Sequence, residues 1–178
     1  MNPPNWILKI IQEGVKIPFK TKPPHIYLPN NKSVLKRDHK NWVRSTLKEF
    51  LEYGFISKVK SIPYCCLPLQ IAEHPTKLSL IHDESLLNEY VEKESFKLEG
   101  WETMFELCNT ATHGIQFDLK KFYFHVPIHE NYRRYFSFSF VMENGGPIEY
   151  FIWNVMPYGY TKAPLISRHL LKPLIARW

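Results

Sequence analysis

One carboxylate dominates the chemistry this chain can offer. Asp118 stands in Phe117-Asp118-Leu119-Lys120-Lys121-Phe122-Tyr123-Phe124-His125-Val126-Pro127-Ile128, with the aromatic Tyr123 five residues on. The residues before it, Ile115 and Phe117, predict an apolar strand that ends at Asp118. A charge in a buried strand is tolerated only when a cation or hydrogen bonds meet it. Two readings stay open: a strand-end Asp satisfied by backbone donors, or a ligand for a divalent metal. The second suits phosphoryl transfer, in which hard carboxylate oxygens hold Mg²⁺ between attacking and leaving oxygens and the protein positions charge.

A second segment, Val155-Met156-Pro157-Tyr158-Gly159-Tyr160-Thr161-Lys162-Ala163-Pro164, follows an aromatic strand at Tyr150 to Asn154 and precedes an apolar-periodic helix. In this order and separation the two segments resemble the palm of reverse transcriptases. The first two core motifs of that family are an Asp-Leu-Lys-x-x-Tyr-like strand end and a Pro-aromatic-Gly-aromatic-x-x-Ala-Pro turn into a helix. The resemblance continues through Lys16-Ile17-Pro18-Phe19, Pro68-Leu69, Lys77, Leu80-Ile81-His82-Asp83, Leu87-Asn88, Phe96 to Gly100, Tyr132 to Tyr135 and Lys172-Pro173-Leu174. That is the order met in retroelement reverse transcriptases, most like the DIRS-type elements.

The resemblance implies an RNA-directed DNA polymerase segment that takes a primer-template and dNTP. Asp118 would be catalytic and would ligate Mg²⁺, or Mn²⁺ in its place, with the Leu119 backbone carbonyl as a further ligand. Tyr123 would lie under the sugar of the incoming nucleotide and exclude a 2′-hydroxyl; its other reading is a core aromatic. Gly159 matches a glycine at which backbone approaches template and nucleotide without a Cβ. Tyr158 and Tyr160 would stack on bases or fill the core. Lys77 keeps the charge expected on the fingers. The family's triphosphate-gripping Arg aligns with Ser79, a second Arg with Ser85, and a basic pair with Glu73 and His74. No Asp follows Asp118, so the family's aromatic-x-Asp-Asp pair is expected beyond Trp178, together with the thumb and any RNase H. The chain is then expected to be an inactive fragment holding fingers and half a palm. Rival expectations are a non-catalytic nucleic-acid-binding remnant and a decayed retroelement product.

The elements that must position these residues read as α+β, with an antiparallel sheet packed against helices. Three stretches divide the chain: 1–37, a short helix and a Pro-rich arm; 38–100, fingers-like; 101–178, a partial palm. Asn5 caps a helix that Gly14 stops. Pro18, Pro23, Pro24 and Pro29 predict an extended arm over Lys16 to Lys32 that forms no core strand. Asp38 is expected to cap a helix to Tyr53, with Val43, Leu47, Phe50 and Leu51 on one face and Gly54 past its end. The other face carries Lys40, Arg44 and Lys48, read either as solvated charge or as contacts to nucleic-acid phosphates. Strands are expected at Phe55 to Val59, Tyr64 to Ala72 and Lys77 to His82, and a short helical turn over Asp83 to Tyr90. Trp101, Met104, Phe105 and Cys108 form a helical stripe. Arg134 to Met142 and Ile148 to Val155 predict a hairpin around Asn144-Gly145. Thr161 is expected to cap a final helix that Pro173 kinks.

Composition bounds these readings. The chain has 178 residues, enough for one domain burying roughly 70% of its unfolded surface, and its 44% apolar content excludes a disordered chain. Lys and Arg outnumber Asp and Glu, 23 to 17, and the pI of about 9.1 favours a polyanionic partner. Cys65, Cys66 and Cys108 have no zinc-ligand spacing and fit a reducing compartment, cytoplasmic or nuclear. The apolar run Trp6 to Ile11 is too short to span a membrane.

Overall fold

The structure, a computed structural model, describes residues 5–97, 100–109, 112–113 and 118–175. Its main sheet has five strands in the order β1 (Ile26–Tyr27), β3 (Cys65–Cys66), β6 (Ser137–Phe140), β7 (Glu149–Trp153) and β2 (Ile56–Val59). The sheet is mixed where an antiparallel one was expected, because β1 with β3 and β3 with β6 run parallel. The β6–β7 and β7–β2 pairs are antiparallel. A separate hairpin of β4 (Leu69–His74) and β5 (Lys77–His82) turns at Pro75-Thr76. Helices α1 (Asn5–Glu13), α2 (Lys32–Leu35), α3 (Arg37–Glu52), α4 (Ser85–Asn88), α5 (Trp101–Cys108), α6 (Glu130–Arg133) and α7 (Ala163–Ile175) complete an α+β architecture.

The single strand expected over Tyr64 to Ala72 is two strands in two sheets. Leu67 N–H still donates to the Ser137 carbonyl, but Pro68 has no N–H to continue the ladder, and the chain leaves for the hairpin there. The Pro-rich arm forms no core strand, as expected, but contributes a two-residue strand at the edge of the sheet. Ile26 N–H donates to Tyr64 O and Leu28 N–H to Cys66 O, and the flanking prolines are tolerated because β1 is an edge. Asp38 is not the cap of α3. The helix begins at Arg37 after Lys36, which makes no side-chain capping bond, and Asp38 sits in the first turn, where its charge suits the helix dipole. The short helices α2 and α6 were not expected; Asn31 Oδ1 accepts from Ser33 N–H to start the first.

Helix α3 packs by its 3.6 period. Val43, Leu47 and Phe50 are buried, and the Phe50 ring meets Phe124 at 5.3 Å and Trp153 at 5.5 Å. Gly54 follows with φ of 70°, a left-handed stop that costs a residue with a side chain about 1–2 kcal/mol. All four residues of β6 are buried, and Phe138 stacks on Phe151 at 5.3 Å across the pair. The Asn144-Gly145 reversal forms as read, with Gly146 N–H donating to Glu143 O. The α5 stripe does not bury as a whole, since Phe105 is 65% exposed and Cys108 is exposed. Pro173 lies inside α7, which runs on to Ile175.

A polar chain crosses this apolar interior. His82, at the end of β5, and Glu84 are both 1% exposed. His82 Nε2 lies 3.0 Å from the Ser137 carbonyl and Nδ1 2.9 Å from Glu84 Oε1. A carbonyl only accepts, so Nε2 carries the proton; the neutral ring then accepts at Nδ1, and the Glu84 carboxylic acid donates. Burial raises the Glu84 pKa well above 4.5 and lowers that of His82 to about 4, so both favour the neutral pair. A raised acid stabilises fully below its unfolded pKa and loses that contribution as pH climbs through the folded value; the depressed His82 loses its own as pH falls from 6.5 toward about 4. Glu84→Gln keeps a donor for Nδ1 and removes one titration. Thermal unfolding from pH 4 to 8 should show Glu84→Gln matching the wild type at the acid end and exceeding it increasingly toward pH 8. Glu84→Ala should lose about 1–3 kcal/mol at pH 5, because Nδ1 loses its donor. Parallel wild-type and Gln profiles would mean that Glu84 is ionised in the fold.

Candidate active site

The turn after Asp118 is built around an unusual backbone. Lys121 has φ of 54° and is the one described non-glycine residue in the left-handed region. Its Nζ reaches Glu49 Oε1 at 2.8 Å, tying the turn to the end of α3. A 3₁₀ turn, Phe122–His125, follows, which buries Phe124 and leaves Tyr123 half-buried. Next, Met156 N–H donates to Val126 O and Ile128 N–H to Asn154 O. This pairing lays the segment after Asp118 along the segment before Tyr158, so the two motifs meet in space.

Their meeting point is aromatic. Tyr123 and Tyr158 have ring centroids 4.9 Å apart, and Phe124 meets Tyr158 edge-on at 5.3 Å. Tyr158 is 40% exposed. Burial pushes its pKa up, the Asp118 charge pushes it further, and Lys121 offsets part of this, so Asp118, Lys121 and Tyr158 share one electrostatic neighbourhood. Burial, and then Tyr158, raise the Tyr123 pKa as well. Tyr160, two residues on, is core: it is 2% exposed and meets Phe136 at 5.1 Å.

Gly159 has φ of 122°, and a Cβ there would stand 2.2 Å from the His82 carbonyl oxygen. The space opened by the missing side chain is therefore filled by the protein's own backbone. Asn88 clamps the same turn, donating from Nδ2 to Gly159 O at 2.9 Å and accepting at Oδ1 from Thr161 N–H at 3.0 Å.

Asp118 itself departs from the expectation of a buried strand end. It is exposed and outside any strand, and Leu119 is 43% exposed; the strand residues expected before it, 115 to 117, lie outside the described residues. Among the described residues no three His, Cys, Asp or Glu side chains converge to hold a metal ion.

Other expected site residues stand elsewhere. Lys77 is exposed at the hairpin tip, about 17 Å along β5 from His82 at the rise of an extended strand. Ser79 pairs with Ala72 within the hairpin, Ser85 Oγ donates to Asp83 Oδ1 at 2.6 Å, and Glu73 is bound by Lys36 at 2.8 Å. Arg44 donates from Nε to Val141 O and from Nη1 to Asn41 Oδ1; Lys40 and Arg44 line a hollow beside the β6–β7 turn, and Lys48 is exposed further along α3. Lys121 and Asn88 carry no signal of these roles in their types. A left-handed Lys is rare, and an Asn at the last residue of a short helix reads as a helix stop.

The model of the family described as reverse transcriptase (RNA-dependent DNA polymerase) matches residues 73–178, more than half of the chain. Over 64 residues the chain is 41% identical to the Gag-Pol polyprotein of bovine immunodeficiency virus (strain R29), covering 35% of this chain and 4% of that polyprotein. The Gag-Pro-Pol polyprotein of bovine leukemia virus (isolate Australian) is 38% identical over 64 residues, again 35% of this chain and 4% of the relative. A putative enzymatic polyprotein of Cassava vein mosaic virus is 23% identical over 153 residues, 84% of this chain and 22% of the relative. The chain spans only these small shares, 4% to 22%, of the relatives' lengths.

The Gly159 geometry yields a direct test. Gly159→Ala forces a Cβ onto backbone and strains φ, so urea unfolding should show a loss of about 2–4 kcal/mol. A loss under about 0.5 kcal/mol would mean that the turn does not rest on His82.

Proposed function

The chain belongs to the reverse transcriptase (RNA-dependent DNA polymerase) family, and from that premise we propose that it presents the nucleotide-selecting face of an RNA-directed DNA polymerase. The observation that carries this reading is the convergence of Asp118, Tyr123 and Tyr158 from two motifs on one exposed patch. The Tyr123 ring, braced by Tyr158, forms the floor under a deoxyribose and leaves no room for a 2′-hydroxyl. Tyr158, with its own ring held against Phe124, presents its exposed edge to the base or template.

The family generally uses divalent metal ions. Asp118 and the Leu119 carbonyl would hold Mg²⁺, or Mn²⁺, together with the phosphates of a dNTP. When bound, such an ion compensates charge on the transferring phosphoryl group. Asp118 is exposed, so it reaches an incoming ion without moving the core. Lys77, on the hairpin, is the cation nearest in sequence to the Ser79 position where the family places a gripping Arg. A primer-template is the second substrate. A non-catalytic nucleic-acid-binding module is the other reading, favoured by the lack of three converging ligands among the described residues.

Electron paramagnetic resonance of Mn²⁺ with dNTP separates the two. Asp118→Asn should abolish nucleotide-dependent Mn²⁺ binding under the polymerase reading and leave it unchanged under the other. Primer extension by the 178-residue chain with Mg²⁺ is expected to be undetectable; extension that Asp118→Ala removes would mean that further ligands complete the site.

Tyr123→Ala should bring the Kd for a ribonucleotide toward that for the matching deoxyribonucleotide, since the sugar floor is gone while Asp118 stays. An unchanged ratio with a stability loss of about 3–5 kcal/mol would make Tyr123 a packing residue.

A further inference from the structure

A cavity of about 470 Å³ lies between α1, the chain that leaves it and α7. That volume is within the range of sites that enclose small ligands, roughly 300–1,000 Å³. Apolar walls come from both helices, Trp6 and Ile10 on one side and Leu165 and Ile166 on the other. Backbone pairing fixes the rest of the frame. Val15 N–H donates to Pro127 O and Glu92 N–H to Pro18 O, and Trp6 meets His169 edge-on at 4.8 Å from one helix to the other. The walls are thus set by the fold before any ligand arrives.

One charged group stands among these walls. Lys162 is 8% exposed, and its Nζ donates to Glu94 Oε2 at 3.0 Å. The partners are unequally placed: the Lys162 side chain is 9% exposed and that of Glu94 58%. The ammonium needs an anion, because burial penalises an unpaired charge. The exposed carboxylate gains little by staying, since water solvates it as well. At the rim Glu13 is already held by Lys16 at 2.6 Å, and Lys9 lines the cavity too. Three lysines therefore stand against two glutamates in the lining, which keeps a positive excess with both ion pairs intact.

We propose that this cavity binds a small amphiphilic monocarboxylate, with its carboxylate on Lys162 Nζ in place of Glu94 and its apolar tail between α1 and α7. The ligand carboxylate brings a tail that covers the Trp6, Ile10, Leu165 and Ile166 walls, a gain that Glu94 cannot offer. A cationic amphiphile would meet the Lys162 charge, and a small anion would leave the walls uncovered. A doubly charged phosphate ester would bury a second charge that Lys162 alone cannot pair. The site needs neither metal nor dNTP, so it stands or falls apart from the nucleotidyl-transfer reading.

Isothermal titration calorimetry of the full chain with sodium decanoate, below its micellar concentration, tests this. A single saturable site per chain is expected, with decyltrimethylammonium weaker by about tenfold or more and acetate giving no saturable binding. Octanoate, shorter by two methylenes, should bind about tenfold more weakly than decanoate. Lys162→Gln should weaken decanoate by about tenfold or more. Glu94→Gln should tighten it about threefold, because the competing carboxylate is gone. That change is at an exposed side chain, so it carries the test should Lys162→Gln misfold. Unsaturable uptake, equal affinity for the cationic amphiphile, an affinity independent of tail length, unchanged binding in Lys162→Gln, or a Glu94→Gln variant that binds decanoate no better than the wild type would each overturn the proposal.

Discussion

The neutral hydrogen-bonded chain from Glu84 through His82 to the Ser137 carbonyl is the joint on which the other parts depend. It ties the end of the β4–β5 hairpin to β6 in the middle of the main sheet. The same corner offers the His82 carbonyl as the seat of Gly159. The aromatic turn that carries Tyr158 is thus positioned by polar groups buried in the interior. Charge would spoil the joint: desolvating an ion costs several kcal/mol, whereas a neutral hydrogen bond contributes about 1 kcal/mol net without that penalty. Burial decides the protonation state, and the protonation state decides the geometry.

Where a local period governs an element, the sequence alone announces it. Val43, Leu47 and Phe50 repeat at helical spacing and bury as α3, and the β6–β7 hairpin follows from aromatic strands around Asn144-Gly145. Where an element is fixed by a distant partner, its residues are silent. The Pro-rich arm reads only as an extended surface segment because its prolines lack donors, yet Ile26 and Leu28 supply N–H groups to the Tyr64 and Cys66 carbonyls and make it the sheet's edge. Tyr64 to Ala72 looks like one strand because apolar residues run through it. The break comes from Pro68 and from the competing demands of β6 and β5 on either side.

The candidate site is legible to the same degree and for the same reason. Motif order is enough to expect Tyr123 and Tyr158 on one site, and their rings do touch. The expectation of a buried Asp118 rested on its apolar neighbours, but Leu119 is itself exposed beside it. Gly159 invites a reading in which the missing Cβ admits a ligand; the atom that occupies the space comes from His82, 77 residues earlier in the chain. Helical spacing put Lys40, Arg44 and Lys48 on one face. It could not show that Tyr27, which arrives on another element, lines the same hollow as Lys40 and Arg44.

Charge pairing links composition to place. The excess of six positive charges is a property of the whole chain and names no surface. Exposed ion pairs contribute only about 0–1 kcal/mol each to stability, so the four exposed lysine–carboxylate pairs of Lys16, Lys36, Lys58 and Lys121 among the described residues do little to hold the fold. What they do is cancel field locally. With those lysines neutralised where they stand, the uncompensated field comes from the many cations without an ion pair among the described residues, Lys48 and Lys77 among them, and Arg37 and Lys40 are two that line the hollows between α3, α2 and the β6–β7 turn. Low-dielectric walls then focus it, and the walls here are Leu35, Ile148 and the Tyr27 ring, so the geometry that concentrates the charge also supplies the apolar contact beside it.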